Sequence, residues 1–291
     1  MSTTTVNQDH PTARAPSPPC HQSGCLSWPR VGGRTRPLAF SSPYLLQDVQ
    51  HLRLGVGIRQ FAPTFAFSAP TASGVPPNLP TRVNLRIEGA NRTIFEDFIF
   101  TRGHNVTSAS GVTIECDGTN NHTNPFPGPT CTSALDDASL LKHFTWDGTF
   151  FADFDDFLVT RIARSEQTAT EFWGILLNFQ FTPVGGCQQQ VKFDDKVLWA
   201  FDAFDKAHFL SLAGPGAATR EKPATFTVTD GSSGELIANA TVASTTTGGP
   251  SGTTDADGKV ELTFNAAGIH RLKAERADSL RSNRVDVVVT L

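Results

Sequence analysis

Several common features are missing from this chain of 291 residues. It has no uninterrupted run of about 18 apolar residues, which excludes a transmembrane helix by sequence. No apolar h-region follows Met1, so a secretory signal of ordinary form is not visible at that end. Charge is scarce: Asp, Glu, Lys and Arg make up 18% of the chain, with a formal net charge of −4. Both signs are interspersed through the second half, which argues against a nucleic-acid or anionic-membrane partner for the body of the protein. The first 80 residues lack lysine altogether. They carry six arginines (Arg14, Arg30, Arg34, Arg36, Arg53, Arg59) against two acids (Asp9, Asp48), so this stretch is +4 and the remainder −8. The motifs of common hydrolases are missing too: there is no G-x-S-x-G elbow, no protease zinc motif and no cysteine pair at zinc-finger spacing.

Cysteine is sparse, at five residues. Cys20 and Cys25 lie in the basic leader, and Cys116, Cys131 and Cys187 in the body, an odd number there. Cys116 and Cys131 bracket a Gly/Asn/Pro-rich stretch, Asp117 to Thr130, with little apolar surface of its own. A Cys116–Cys131 disulfide is therefore expected, with Cys187 in the Gly185-Gly-Cys turn left as a buried thiol. N-x-S/T sequons occur at Asn91, Asn105, Asn121 and Asn239. Disulfide and sequons together point to a secreted glycoprotein. The small-residue texture of Phe61 to Ala72 resembles the end of a secretory signal, so an extracellular location is expected, with the signal peptide itself missing from this chain.

Residues 1–76 are rich in Pro, Ser and Thr and hold neither a period of 2 nor one of 3.6, which predicts a disordered leader. Beyond it, Val83-Asn-Leu-Arg-Ile87 alternates as a half-buried strand should, and Thr93 to Phe100 is a second strand. A Gly/Ser/Thr/Asn-rich loop follows. Ser133 with Asp136 three residues later reads as a capping box, opening a helix that runs to about Phe144. Thr149–Phe151, Phe157–Ile162, Phe172–Phe179 and Lys196–Phe201 are further strands. From about Phe209 the texture becomes short alternating strands (224–228, 241–243, 259–264, 269–274 and 285–289) with turns at Asp230-Gly231, Asp257-Gly258 and Ala267-Gly268. The expected architecture is mainly β: an α+β module over 77–212 and a small β-sandwich over 213–291, with the boundary at Leu212–Gly216.

Trp173, Asn178, Gly185, Asp195 and Trp199 fall in the run Phe172-Trp-Gly-Ile-Leu-Leu-Asn178, Val184-Gly185, Val191-Lys-Phe-Asp-Asp195 and Val197-Leu-Trp199. This run is similar to the closing signature of the transcobalamin C-terminal-like family, with Phe179 and Asp194 standing where that signature has glycine. The resemblance covers roughly 82–205 and implies a β-grasp-like fold of extracellular ligand-binding and surface proteins. The helical barrel that supplies half of a corrinoid cage is absent, so no cofactor is expected. Thr254-Asp-Ala-Asp-Gly-Lys-Val-Glu-Leu-Thr-Phe264, Ala267-Gly268 and Leu272-Lys-Ala-Glu275 resemble bacterial Ig-like modules of the invasin type, implying a stalk or spacer. The two modules together resemble secreted proteins of the surface cell-adhesion kind.

The body is rich in phenylalanine, and the faces of Trp173 and Trp199, with Asn178 and Phe181, are the candidate ligand surface for a sugar or aromatic ligand. Asp147, Asp153, Asp155 and Asp156 supply oxygen for calcium or a carboxylate pair for glycoside hydrolysis, but Asp-Phe-Asp-Asp reads as a solvated loop whose carboxyls titrate normally. No metal and no catalytic residue is therefore assigned. The expected function is non-enzymatic adhesion or ligand binding by a monomer, toward an extracellular ligand or cell-surface glycan, with a small-molecule binder and a carboxylate-dependent hydrolase as alternatives.

Overall fold

Alternation in 83–87 places Val83, Leu85 and Ile87 on one face of a strand and Arg82, Asn84 and Arg86 on the other, and all three apolar side chains are fully buried. The computed structural model of the protein describes residues 78–291. The predicted disordered leader, with Cys20 and Cys25, lies outside the described residues. Strands β1 (Thr81–Glu88), β2 (Thr93–Thr101), β3 (His104–Thr107) and β4 (Thr113–Cys116) precede helix α1 (Cys131–Lys142). After it come β5 (Trp146–Phe151), β6 (Asp156–Ile162), β7 (Ser165–Glu166), β8 (Trp173–Leu177), β9 (Gln180–Phe181) and β10 (Lys196–Phe201). The second half holds β11 (His208–Ala213), β12 (Ala217–Thr219), β13 (Pro223–Asp230), β14 (Thr241–Ser244) and β15 (Ser251–Thr253). It ends in β16 (Lys259–Thr263), β17 (Gly268–Glu275), β18 (Ser279–Leu280) and β19 (Val285–Thr290).

The first half is organised on a five-stranded sheet in the order β2-β1-β10-β8-β9, with β1 and β10 parallel and the other pairs antiparallel. Its inner face joins α1 and β5–β6 in a core that includes Leu85, Ile87, Leu135, Trp146, Ile162, Trp173 and Trp199. The second half is two sheets, β16-β13-β11-β18 and β12-β19-β17-β14-β15. They share a core around Phe226, Val228, Leu262, Phe264, Leu272 and Val287. The protein is thus mainly β, with one α-helix among the described residues. No described helix is long and apolar enough to cross a membrane.

Three expectations need correction. The chain enters the second pair of sheets at β11, ahead of the boundary placed at Leu212–Gly216, because His208–Ala213 pairs with β13 and β18. The helix is capped by Thr130 and not by Ser133: Thr130 Oγ1 accepts from Ser133 N at 3.0 Å, and Ser133 Oγ accepts from Thr130 N at 2.8 Å. Ser133 is therefore the third helical residue, and the box closes three residues earlier than the Ser133–Asp136 spacing suggested.

The disulfide joins Cys116 to Cys187, and Cys131 is the free, buried thiol, so the Cys116–Cys131 pairing is wrong. The cause is tertiary. Residues 185–190 fold over the start of α1, where Thr132 N donates to Gly186 O and Cys131 N to Gln189 O. Gly118 N donates to Cys187 O at 2.9 Å, which brings the end of β4 beside that turn. Cys131, in the first turn of the helix, points into the core, where burial pushes its thiol pKa up. A bridge spanning 71 residues constrains the unfolded chain by about 4 kcal/mol in the chain-entropy account, against about 3 kcal/mol for the short loop.

Candidate functional site

The outer face of the five-stranded sheet is built in rows by its register. One row sets Phe100 beside Arg82, the next sets Phe98, Asn84 and Lys196 side by side, and the third sets Glu96, Arg86 and Leu198. The β8–β9 end of this face is covered by the second half. Leu176, Phe179, Leu198, Ala200 and Ala203 pack with Phe209 and Leu280 in an apolar cluster. The β2 side is open at Phe98 and Phe100, while Glu96 of the same strand is bonded to the second half. Phe98 is 51% exposed, Phe100 67% and Phe193 66%, so apolar area is left facing water where the alternation of β2 would ordinarily put polar side chains.

Arg82 makes this aromatic patch rigid. Its guanidinium carbon lies 4.7 Å from the Phe98 ring centroid and 4.8 Å from that of Phe193, so the cation is held by both rings. Asp194 fixes it from the side, accepting from Nε at 2.9 Å and from Nη2 at 2.6 Å. Asp194 has φ of 62° and Phe179 φ of 66°, both left-handed backbone that favours glycine. Both side chains have work: Asp194 pins Arg82, while Phe179 packs on Gly231, where a Cβ would lie 2.3 Å from its ring.

Beside the patch, where the sheet meets the second half, a cleft of about 420 Å³ is lined by Asn84, Arg86, Phe179, Lys196, Ser211 and Asn283, among others. Behind it lies an ionic junction. Glu88, fully buried, accepts from Lys273 Nζ at 2.5 Å and from Arg281 Nε at 2.9 Å. Glu96 accepts from Lys273 Nζ at 2.9 Å and from the Arg284 backbone N–H. Each carboxylate here is multiply bonded, the condition under which buried ion pairs hold rather than loosen a structure.

No family model matches the chain, and no curated protein does.

The candidate ligand residues fall elsewhere. Trp173 and Trp199 lie on the inner face and are buried, their indole N–H groups donating to Ser165 O at 3.2 Å and Cys131 O at 3.2 Å. They fill core and offer no ring face to a ligand. Asn178 spends its amide on the turn: Nδ2 donates to Asp195 Oδ1 at 2.9 Å and Oδ1 accepts from Lys196 N at 3.0 Å. Phe181 is exposed, as Asn178 is, and its ring stacks on Phe204 at 5.0 Å. The four sequon asparagines, Asn91, Asn105, Asn121 and Asn239, are all exposed.

The acidic group also departs from its reading. Asp153 is exposed, but Asp156 is buried, with its carboxylate accepting backbone N–H groups from Phe157 at 2.7 Å, Cys187 at 2.9 Å and Gln188 at 3.2 Å. Burial pushes its pKa up to about 6, against the normal titration expected of a solvated loop. Asp155 accepts from Asn121 N at 3.1 Å. Among the described residues no group of three or more His, Cys, Asp or Glu is placed to hold a metal ion. The sequence did carry a signal for the aromatic patch: in Phe95-Glu-Asp-Phe-Ile-Phe100 both faces of one strand bear large apolar residues.

Proposed function

We propose that this is a secreted, non-enzymatic binding or adhesion protein that holds a planar or sugar-ring ligand on the open face formed by Phe98, Phe100, Phe193 and Arg82. The carrying observation is the exposed aromatic patch, pre-organised by a guanidinium sandwiched between two rings and tied to Asp194. A rigid apolar surface with polar groups at its border is what a sugar ring needs, since its C–H face lies on an aromatic ring while its hydroxyls find donors and acceptors at the edge. The resemblance to transcobalamin C-terminal-like and invasin-type modules, with a β-grasp-like first domain and an Ig-like second, supports an extracellular setting. The buried Cys116–Cys187 bridge is compatible with it.

The bonding of Asp156 supports a reading of binding without turnover. Its carboxylate already accepts three backbone N–H groups and clamps the turn that carries Cys187, so it reads as a structural anchor and not as a general acid facing substrate. A glycan array probed with the full chain tests the reading. Wild type should capture a subset of glycans without cleaving them, and Phe98→Ala combined with Phe193→Ala should remove that capture. Capture that survives in the double variant, or cleavage of any captured glycan, would contradict it.

A further inference from the structure

Arg86 is 5% exposed, yet among the described residues its guanidinium makes one hydrogen bond, from Nη1 to Arg281 O at 2.9 Å, and no carboxylate lies within ion-pair distance of it. Burial lowers its pKa, with Glu88 and Glu96 opposing that shift through space and Arg281 adding to it. Lys196, in the next row, likewise has no carboxylate partner among the described residues, and its ammonium lies 5.5 Å from the Phe179 ring centroid, with the Arg86 guanidinium 5.7 Å from the same ring. Both line the 420 Å³ cleft, together with Asn84, whose side-chain amide has no hydrogen bond among the described residues.

Glu96, Asp97 and Asp286 also line the cleft but none of them bonds either cation, and Glu88 and Glu96 act on Arg86 only through space. Glu96 is taken by Lys273 and Arg284 N, Asp286 by the Arg284 guanidinium at 2.8 Å, and Asp97 by the Phe98 N–H at 2.8 Å. A buried guanidinium with open donors, a second cation and a free amide line one concavity, which is the donor chemistry an oxyanion needs. The row Phe98, Asn84, Lys196 then runs from ring surface to cation along a single line of the sheet.

Resting on the reading of the open face given above, we propose that Arg86 and Lys196 form an oxyanion site, and that the ligand carried on Phe98 is an acidic sugar whose carboxylate enters this cleft.

The test titrates the full chain with methyl glucuronide, methyl glucoside and inorganic phosphate, following NMR shifts of the Lys196 amide and the Phe98 ring. Methyl glucuronide should bind at least about 10-fold more tightly than methyl glucoside, with added salt weakening it. Lys196→Gln, at an exposed position, should weaken it about 10-fold at unchanged melting temperature, and Arg86→Gln should do so where the variant folds. Equal binding of glucoside and glucuronide, with Lys196→Gln without effect, would overturn the oxyanion site and leave the glycan reading standing. Binding of phosphate alone, lost in Lys196→Gln, would support the oxyanion site while overturning the acidic sugar as its ligand. Binding of none of the three would overturn the proposal outright.

Discussion

The two ends of one sheet face are built from similar side chains and used differently. Toward β8 and β9, Leu176, Phe179, Leu198 and Ala200 are covered by Phe209 and Leu280, and Glu88 locks Lys273 and Arg281 behind them. Toward β2, Phe98, Phe100 and Phe193 face solvent, fixed by Arg82 rather than buried by a neighbour. Burial is the ordinary use of phenylalanine on a sheet, so the covered end follows from the hydrophobic effect alone. The open end does not contribute to the described core. What holds its rings in place is an ion-pair and cation–π arrangement, which orders a surface without hiding it.

Breaking the covered end should have the largest effect. Glu88→Gln removes the charge that Lys273 and Arg281 share, leaving Arg281 without this carboxylate and Lys273 with Glu96 alone at a nearly dry site, which should destabilise the protein by about 3 kcal/mol. Denaturant unfolding of the purified variant measures it, and a loss below about 1 kcal/mol would contradict a dry junction. Phe179→Ala comes next. It empties the contact with Gly231 and should cost about 3 kcal/mol, whereas Phe179→Gly should lose less, because it also releases the left-handed backbone.

A pH series separates both from the interior of the first half. The Asp156 carboxyl titrates at about 6 in the folded protein against 3.8 unfolded, so between those values the native state retains a proton that the unfolded chain has lost. Stability must then fall as pH rises from about 4 to 6, by on the order of 3 kcal/mol from this group. The difference in stability between wild type and Asp156→Asn should follow that slope, and a flat difference across the window would contradict it. The smallest effect is expected at the open end, where Phe98→Ala and Phe193→Ala should change unfolding free energy by about 0.5 kcal/mol or less.

The strands were readable where alternation was clean. Val83–Ile87 and Lys259–Phe264 each carry a period-2 pattern that one buried face imposes. The hairpin of β3 and β4 was missed because His104-Asn-Val-Thr and Thr113-Ile-Glu-Cys carry few apolar residues, and its backbone pairing supplies what composition does not show. Cys187 could not be paired from sequence, since its position beside Cys116 depends on Asp156 taking the Cys187 and Gln188 N–H groups. Asp156 was misread for the same reason: Asp-Phe-Asp-Asp resembles a solvated loop until three backbone donors are brought to one carboxylate. The ligand surface was sought at Trp173 and Trp199, although their alternation with Ile175 and Val197 already sets them on the core side of the sheet.

We propose that the two ends of this face have different jobs, one structural and one for binding. The most direct measurement pairs affinity with melting temperature for Phe98→Ala and Phe209→Ala, using a glycan captured by the wild-type protein. Phe98→Ala should lower affinity about 10-fold or more with little change in melting temperature, and Phe209→Ala should lower the melting temperature while the folded fraction keeps its affinity. The reverse pattern, or unchanged affinity in Phe98→Ala, would contradict it.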